Sequence, residues 1–187
     1  MHFLALCGSL RAASINAALL RAFARCAPAG IELRQSPSLG ALPLFNPDLE
    51  ADLPSAVRAL HVAVAAADGL VIASPEYAHG VSGVVKNALD WLVSFEPFIH
   101  KPVAVINASP RARHADAALR ETLRTMSAGL VGEASLQLPL LGAGLDEDAM
   151  AAAPAVAEVA AQAVAALRAE IARQYAAEVP VFPLRAG

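Results

Sequence analysis

The chain has 187 residues and a mass of 19.2 kDa, so a single domain over 1–187 is the expectation. Hydrophobic residues make up 57% and charged residues 17%, a balance that excludes a disordered chain. The 14 basic and 17 acidic residues leave a net charge of −3 with a pI near 5.9, which argues against a nucleic-acid partner.

Mean hydropathy is high, +0.50, yet no run reaches the ~18 uncharged apolar residues that cross a bilayer. His61 and Asp68 interrupt one candidate, and Glu158 and Gln162 the other. Met1 to Cys7 is apolar without a basic lead, and Gly8, Ser9 and Arg11 end it too early for a signal peptide. A cytoplasmic protein without membrane contact is therefore expected. Cys7 and Cys26 alone form no disulfide framework and no metal-ligand spacing, and their apolar neighbours suggest buried structural thiols.

In chain order, His2 to Cys7 reads as a buried strand and Ser14 to Cys26 as a helix with Ile15, Leu19, Leu20 and Phe23 at helical spacing. Ile31 to Gln35 is a second, short strand. Residues 36–53, with Pro37, Pro43 and Pro47, read as a long ordered loop. Leu53 to Ala67 follows as a helix, Pro54 being tolerated in its first turn. Gly69 to Ser74 is a continuous apolar strand stopped by Pro75. After it come a helix over Ser82–Val93, a strand over Pro102–Ala108 and a helix over Ala115–Ala128. A strand over Glu133–Leu140 and a long alanine-rich helix over Asp146–Ala177 complete the chain.

Strands alternating with helices define an α/β fold, an open parallel sheet with helices on both faces. Right-handed crossovers carry the strand-to-helix loops to the carboxyl edge of that sheet. Three loops belong there: Gly8–Ser14, Pro75–Ser82 and Ser109–His114.

The first loop is free of acidic residues and opens a helix, whose unpaired amides and partial positive charge favour a phosphate group. Ser9, Ser14 and Asn16 add neutral donors, and Arg11 adds a guanidinium fork. A plainer reading makes Ser14 a helix cap and Arg11 a solvated loop residue. Two better-known phosphate loops are excluded. The chain has no Gly-x-x-x-x-Gly-Lys-Ser/Thr, and Gly142-Ala143-Gly144 is followed by Glu147 where a dinucleotide fingerprint needs glycine.

The second loop, Pro75-Glu76-Tyr77, runs into Lys86-Asn87-Ala88-Leu89-Asp90-Trp91, and the first reads Gly8-Ser9-Leu10-Arg11-x-x-Ser14-x-Asn16. Together with Leu42-Pro43-Leu44-Phe45-Asn46-Pro47, these motifs resemble the NADPH-dependent FMN reductase family in order and spacing. The resemblance spans the chain through about residue 128. It implies a flavodoxin-like sheet of order 2-1-3-4-5 that binds FMN. By the same resemblance, Ser9, Arg11, Ser14 and Asn16 hold the FMN phosphate, helped by the backbone around Leu10 and Ile15. Pro75, Glu76, Tyr77 and Ala78 line the isoalloxazine and ribityl side, and Ser109 matches a flavin-contacting position. Family members often carry Asn where Ala78 stands, so one polar contact to the cofactor is expected to be missing. Arg111 and Arg113 match the family poorly. They either serve the phosphate of an incoming nucleotide, narrow the ring pocket, or are solvated loop charges.

The implied activity passes two electrons from NADPH or NADH through bound FMN to a small acceptor such as a quinone, free flavin, azo compound or metal oxyanion. The flavin carries that chemistry, so no catalytic side chain and no metal are expected. A non-enzymatic electron carrier of the flavodoxin type is the alternative, although this chain lacks a strongly acidic balance. A serine hydrolase is disfavoured because Val84 stands where the nucleophile elbow after Gly80-Val81-Ser82 needs glycine. The apolar series Val84, Val85, Trp91, Leu92, Phe95, Phe98 and Ile99 suggests either a homodimer face or residues that merely complete the core, and the family suggests dimers or tetramers.

Overall fold

Five parallel strands form the centre of the molecule, in a computed structural model that describes residues 1–109, 111–140 and 142–178. They are β1 (His2–Cys7), β2 (Glu32–Gln35), β3 (Gly69–Ala73), β6 (Pro102–Val105) and β7 (Gly129–Leu130), in the order β2-β1-β3-β6-β7. A separate two-stranded hairpin, β4 (Glu76–Tyr77) with β5 (Gly80–Val81), stands after β3. The helices are α1 (Ile15–Cys26), α2 (Ser55–Ala66), α3 (Gly83–Asp90), α4 (Arg113–Thr125), α5 (Glu147–Ala152) and α6 (Pro154–Glu178). The strand order is the flavodoxin-like one expected from the sequence.

Side-chain alternation splits the core into two layers. Phe3 and Ala5 of β1, Val71 and Ala73 of β3 and Ala104 of β6 face α1, α5 and α6, meeting Leu19, Phe23, Met150 and Leu167. Their neighbours Leu4, Leu6, Leu70, Ile72, Val103 and Val105 face α2, α3 and α4, meeting Leu60, Leu89 and Leu119. Burial on both sides is why the central strands read as unbroken apolar runs.

Several boundaries differ from expectation, each for a local reason. The last strand is Gly129–Leu130, and the stretch 133–140 forms no strand; it runs beside the end of β6 with one isolated bridge, Asn107 to Gln137, and a bond from the Leu140 amide to the Ala108 carbonyl. Ser135 explains the difference: its hydroxyl accepts the Val105 amide at 3.0 Å and donates to the Val131 carbonyl at 2.8 Å. A side chain thus takes the ladder position that backbone would fill. At Gly129 a Cβ would lie 2.7 Å from the His100 carbonyl oxygen, so only glycine lets this strand approach β6. The long C-terminal helix is two helices, because Ala153 is extended and Pro154 brings no amide hydrogen. The helix expected over Ser82–Val93 ends at Asp90, and the one expected from Ala115 begins at Arg113.

The long loop after β2 is ordered by a latch. Asn87 accepts the Phe45 amide at 2.8 Å and donates to the Pro43 carbonyl at 2.9 Å, and the Trp91 indole donates to the same carbonyl at 2.9 Å. Two 3-10 turns, Leu39–Ala41 and Pro47–Asp52, fill the loop. Trp91, Leu92, Val85 and Phe98 are buried within the chain itself, leaving Val93 and Ile99 exposed. Cys7 and Cys26 are half-buried and unpaired rather than fully enclosed.

No helix among the described residues is long and apolar enough to cross a membrane.

Candidate functional site

The first loop is laid flush against the start of α3. Its Gly8 amide donates to the Ala73 carbonyl at 2.8 Å. A Cβ on Gly8 would sit 2.7 Å from Val85 Cγ2 and 2.8 Å from the hydroxyls of Ser74 and Ser82. Glycine is the residue that fits, and the chain then turns outward into Ser9–Ser14. Ser14 is buried and caps α1, its Oγ accepting the Ala17 amide at 3.2 Å. No acidic residue lies in the first turn of α1, so the partial positive charge there is left uncompensated.

The three loops enclose a cleft of about 350 Å³ at the carboxyl edge of the sheet. Ser9, Arg11, Ser14, Ile15 and Asn16 form one wall, and Ser74, Pro75, Glu76 and Tyr77 a second. Asn107, Ala108, Ser109, Arg111 and Ala112 form the third. The structure therefore brings together every expected site residue except Leu10 and Ala78. Leu10 is 62% exposed and turned over Gly40, outside the cleft. Ala78 lies in the hairpin turn and is not among the residues lining the cleft.

That hairpin was not foreseen. Tyr77 pairs with Gly80 across the two-residue turn Ala78-His79, whose φ angles are +49° and +60°. Both central residues are left-handed, as in the tight turns that favour Asn-Gly. His79 stacks on His114 in the first turn of α4, with ring centroids 4.4 Å apart. Glu76 serves the same helix: its Oε2 accepts the Ala115 amide at 2.9 Å and supplies the cap that Ala112 cannot. The carboxylate is thereby held on α4.

Asn107 closes the third wall and was also missed. It is 5% exposed; its Oδ1 accepts the Ser109 amide at 2.9 Å and its Nδ2 donates to the Ala112 carbonyl at 3.0 Å. The one signal in the sequence is an amide ending the apolar run Pro102–Ile106. Ser109 is held further by Gln137, whose Nε2 donates to the Ser109 carbonyl at 3.1 Å. Among the described residues no group of three or more His, Cys, Asp or Glu is placed to hold a metal ion.

This fold and these loop sequences are shared with known proteins. The sequence profile of the NADPH-dependent FMN reductase family matches residues 1–140. A quinone reductase of Escherichia coli (strain K12) is 37% identical over 113 residues, covering 58% of this chain and 60% of that protein. An NAD(P)H-dependent FMN reductase of Pseudomonas aeruginosa is 38% identical over 109 residues, covering 57% and 58% respectively. The aligned part thus spans about 60% of the length of the first of these relatives. The solved flavoenzyme NAD(P)H:(acceptor) oxidoreductase of Paracoccus denitrificans shares the fold, with a TM-score of 0.66 over 92% of this chain and 93% of that one at 24% identity. On the profile match over more than half its length, the chain belongs to the NADPH-dependent FMN reductase family.

Proposed function

We propose that this protein is an FMN-dependent NAD(P)H oxidoreductase, passing two electrons from a nicotinamide nucleotide to a small acceptor. The observation that carries the reading is the first wall. An acid-free helix N-terminus, two serine hydroxyls, a buried asparagine and a guanidinium converge there on one end of the cleft. That donor set fits a phosphate monoester. The cleft volume falls in the range of small-molecule sites.

FMN, when bound, supplies the two-electron chemistry; the protein supplies position and electrostatics. Ser9 and Ser14 donate their hydroxyl hydrogens to phosphate oxygens, which leaves the Ser14 oxygen free to keep its bond to the Ala17 amide. Asn16 donates through its amide, and Arg11 pairs the dianion with its fork. Pro75 stiffens the second wall, while Tyr77, 58% exposed, covers its outer side. Glu76 remains on the α4 amide and keeps the hairpin at a fixed height beside the ring site. Ser109 would line the ring side of FMN from the third wall. None of these groups acts as an acid or base.

The relatives named as quinone and FMN reductases support a quinone or free flavin as acceptor. Homodimer or homotetramer assembly and a cytoplasmic location belong to the same reading and rest on family kinship; light scattering of the purified protein tests the first. The activity test is to add NADPH under argon to protein loaded with FMN, then a quinone. Bleaching of the flavin absorbance followed by full return supports the enzyme. A flavin that NADPH leaves oxidised, yet a separate reductase bleaches, supports the electron-carrier alternative instead.

A further inference from the structure

Two guanidinium-bearing residues line opposite walls of the cleft. Arg11 lies on the first wall and Arg111 on the third, and neither guanidinium has an ion-pair partner among the described residues. Glu76 is the one carboxylate in the lining, and its oxygen is engaged by the Ala115 amide. Arg11 belongs to the phosphate seat at α1. The second cation, on the opposite wall, has no anion assigned to it.

Arg111 is also held in place. Its amide donates to Ser109 Oγ at 3.2 Å, the Ser109 amide donates to Asn107 Oδ1, and Asn107 Nδ2 returns to the Ala112 carbonyl. The Arg111 carbonyl accepts the Arg113 amide at 2.9 Å. These bonds tie Asn107, Ser109, Ala112 and the Arg111 backbone together, so part of the order of this wall is present before a ligand binds. A solvated surface charge would need no such frame.

We infer that Arg111 seats a second anion, the 2′-phosphate of the nicotinamide nucleotide, and so selects NADPH over NADH. The inference rests on the oxidoreductase reading above. The 2′-phosphate is the group by which the two nucleotides differ, and a guanidinium can hold it with paired hydrogen bonds. Pyrophosphate, common to both nucleotides, gives Arg111 no selectivity and is the competing occupant.

The test is calorimetric titration of the FMN-loaded protein with adenosine 2′,5′-bisphosphate and with AMP, in the natural chain, Arg111→Ala and Arg111→Lys. The natural chain should bind the bisphosphate about 10- to 100-fold tighter than AMP, the size of one lost charged hydrogen-bond pair. Arg111→Ala should bring the two ligands level, and Arg111→Lys should retain part of the preference. The ratio of kcat/KM for NADPH to that for NADH should fall in parallel. Equal binding in the natural chain overturns the inference, as does a preference that survives in Arg111→Ala. A matched loss for both ligands assigns Arg111 to the pyrophosphate and overturns it too. Weakened FMN affinity in Arg111→Ala with the nucleotide preference intact places Arg111 in the cofactor seat, again against the inference. Failure of the natural chain to take up FMN is a different result, seen in the flavin absorbance, and removes the oxidoreductase reading itself.

Discussion

The first wall of the cleft and the third are built from similar polar residues that serve opposite ends. On the first, the Ser9 and Ser14 oxygens accept the Arg11 and Ala17 amides at 3.4 and 3.2 Å, while the Arg11 and Asn16 side chains line the cleft without a hydrogen bond to the described residues. On the third, Asn107 and Ser109 are bonded to their own loop, and on the second Glu76 is bonded to α4. On the proposed function, polar residues in one cleft divide into those that grip and those that shape. A change in the first group should alter binding at constant stability, and a change in the second should alter stability first.

The largest expected effect is at Asn107. Asn107→Ala strips partners from the Ser109 amide and the Ala112 carbonyl, and should cost about 2–3 kcal/mol in denaturant unfolding. Arg11→Gln should instead weaken FMN binding about 10- to 100-fold and leave the unfolding midpoint in place, as read by flavin fluorescence titration beside thermal melting. If Arg11→Gln lowers the midpoint as Asn107→Ala does, the division between gripping and shaping residues is wrong. Glu76→Ala removes the cap of α4 and should cost about 1 kcal/mol. Ala78→Gly is the smallest and runs the other way. Relieving a left-handed alanine at φ +49° should stabilise the chain by about 0.5–1 kcal/mol, visible as a modest rise in melting temperature.

Much of the architecture was legible because its signals are local. The doubly buried strands β1 and β3 read as apolar runs, and Ser14 followed by Ile15, Leu19 and Phe23 marked the start of α1 before any contact was known. The first wall was legible for the same reason: Ser9, Arg11, Ser14 and Asn16 fall within one short stretch of chain. What escaped depends on partners far along the chain. Ser135 replaces a ladder bond of Val105, thirty residues back, so the stretch over 133–140 looked like a strand. Glu76 is drawn as a capping residue by Ala115, thirty-nine residues on. Asn107 looked like one more residue of an apolar run until the loop it organises was in view. Pro154 is a different case, since its break of the last helix follows from the missing amide hydrogen alone.

The heart of the account is that the phosphate end of the cofactor docks at the opening of α1. The direct measurement is parallel titration of the protein with FMN and with riboflavin, which differ by that phosphate. The account predicts one FMN per chain and riboflavin at least about tenfold weaker, from the charge-assisted bonds that riboflavin forgoes. Equal affinity for the two flavins, or uptake of neither, would contradict it.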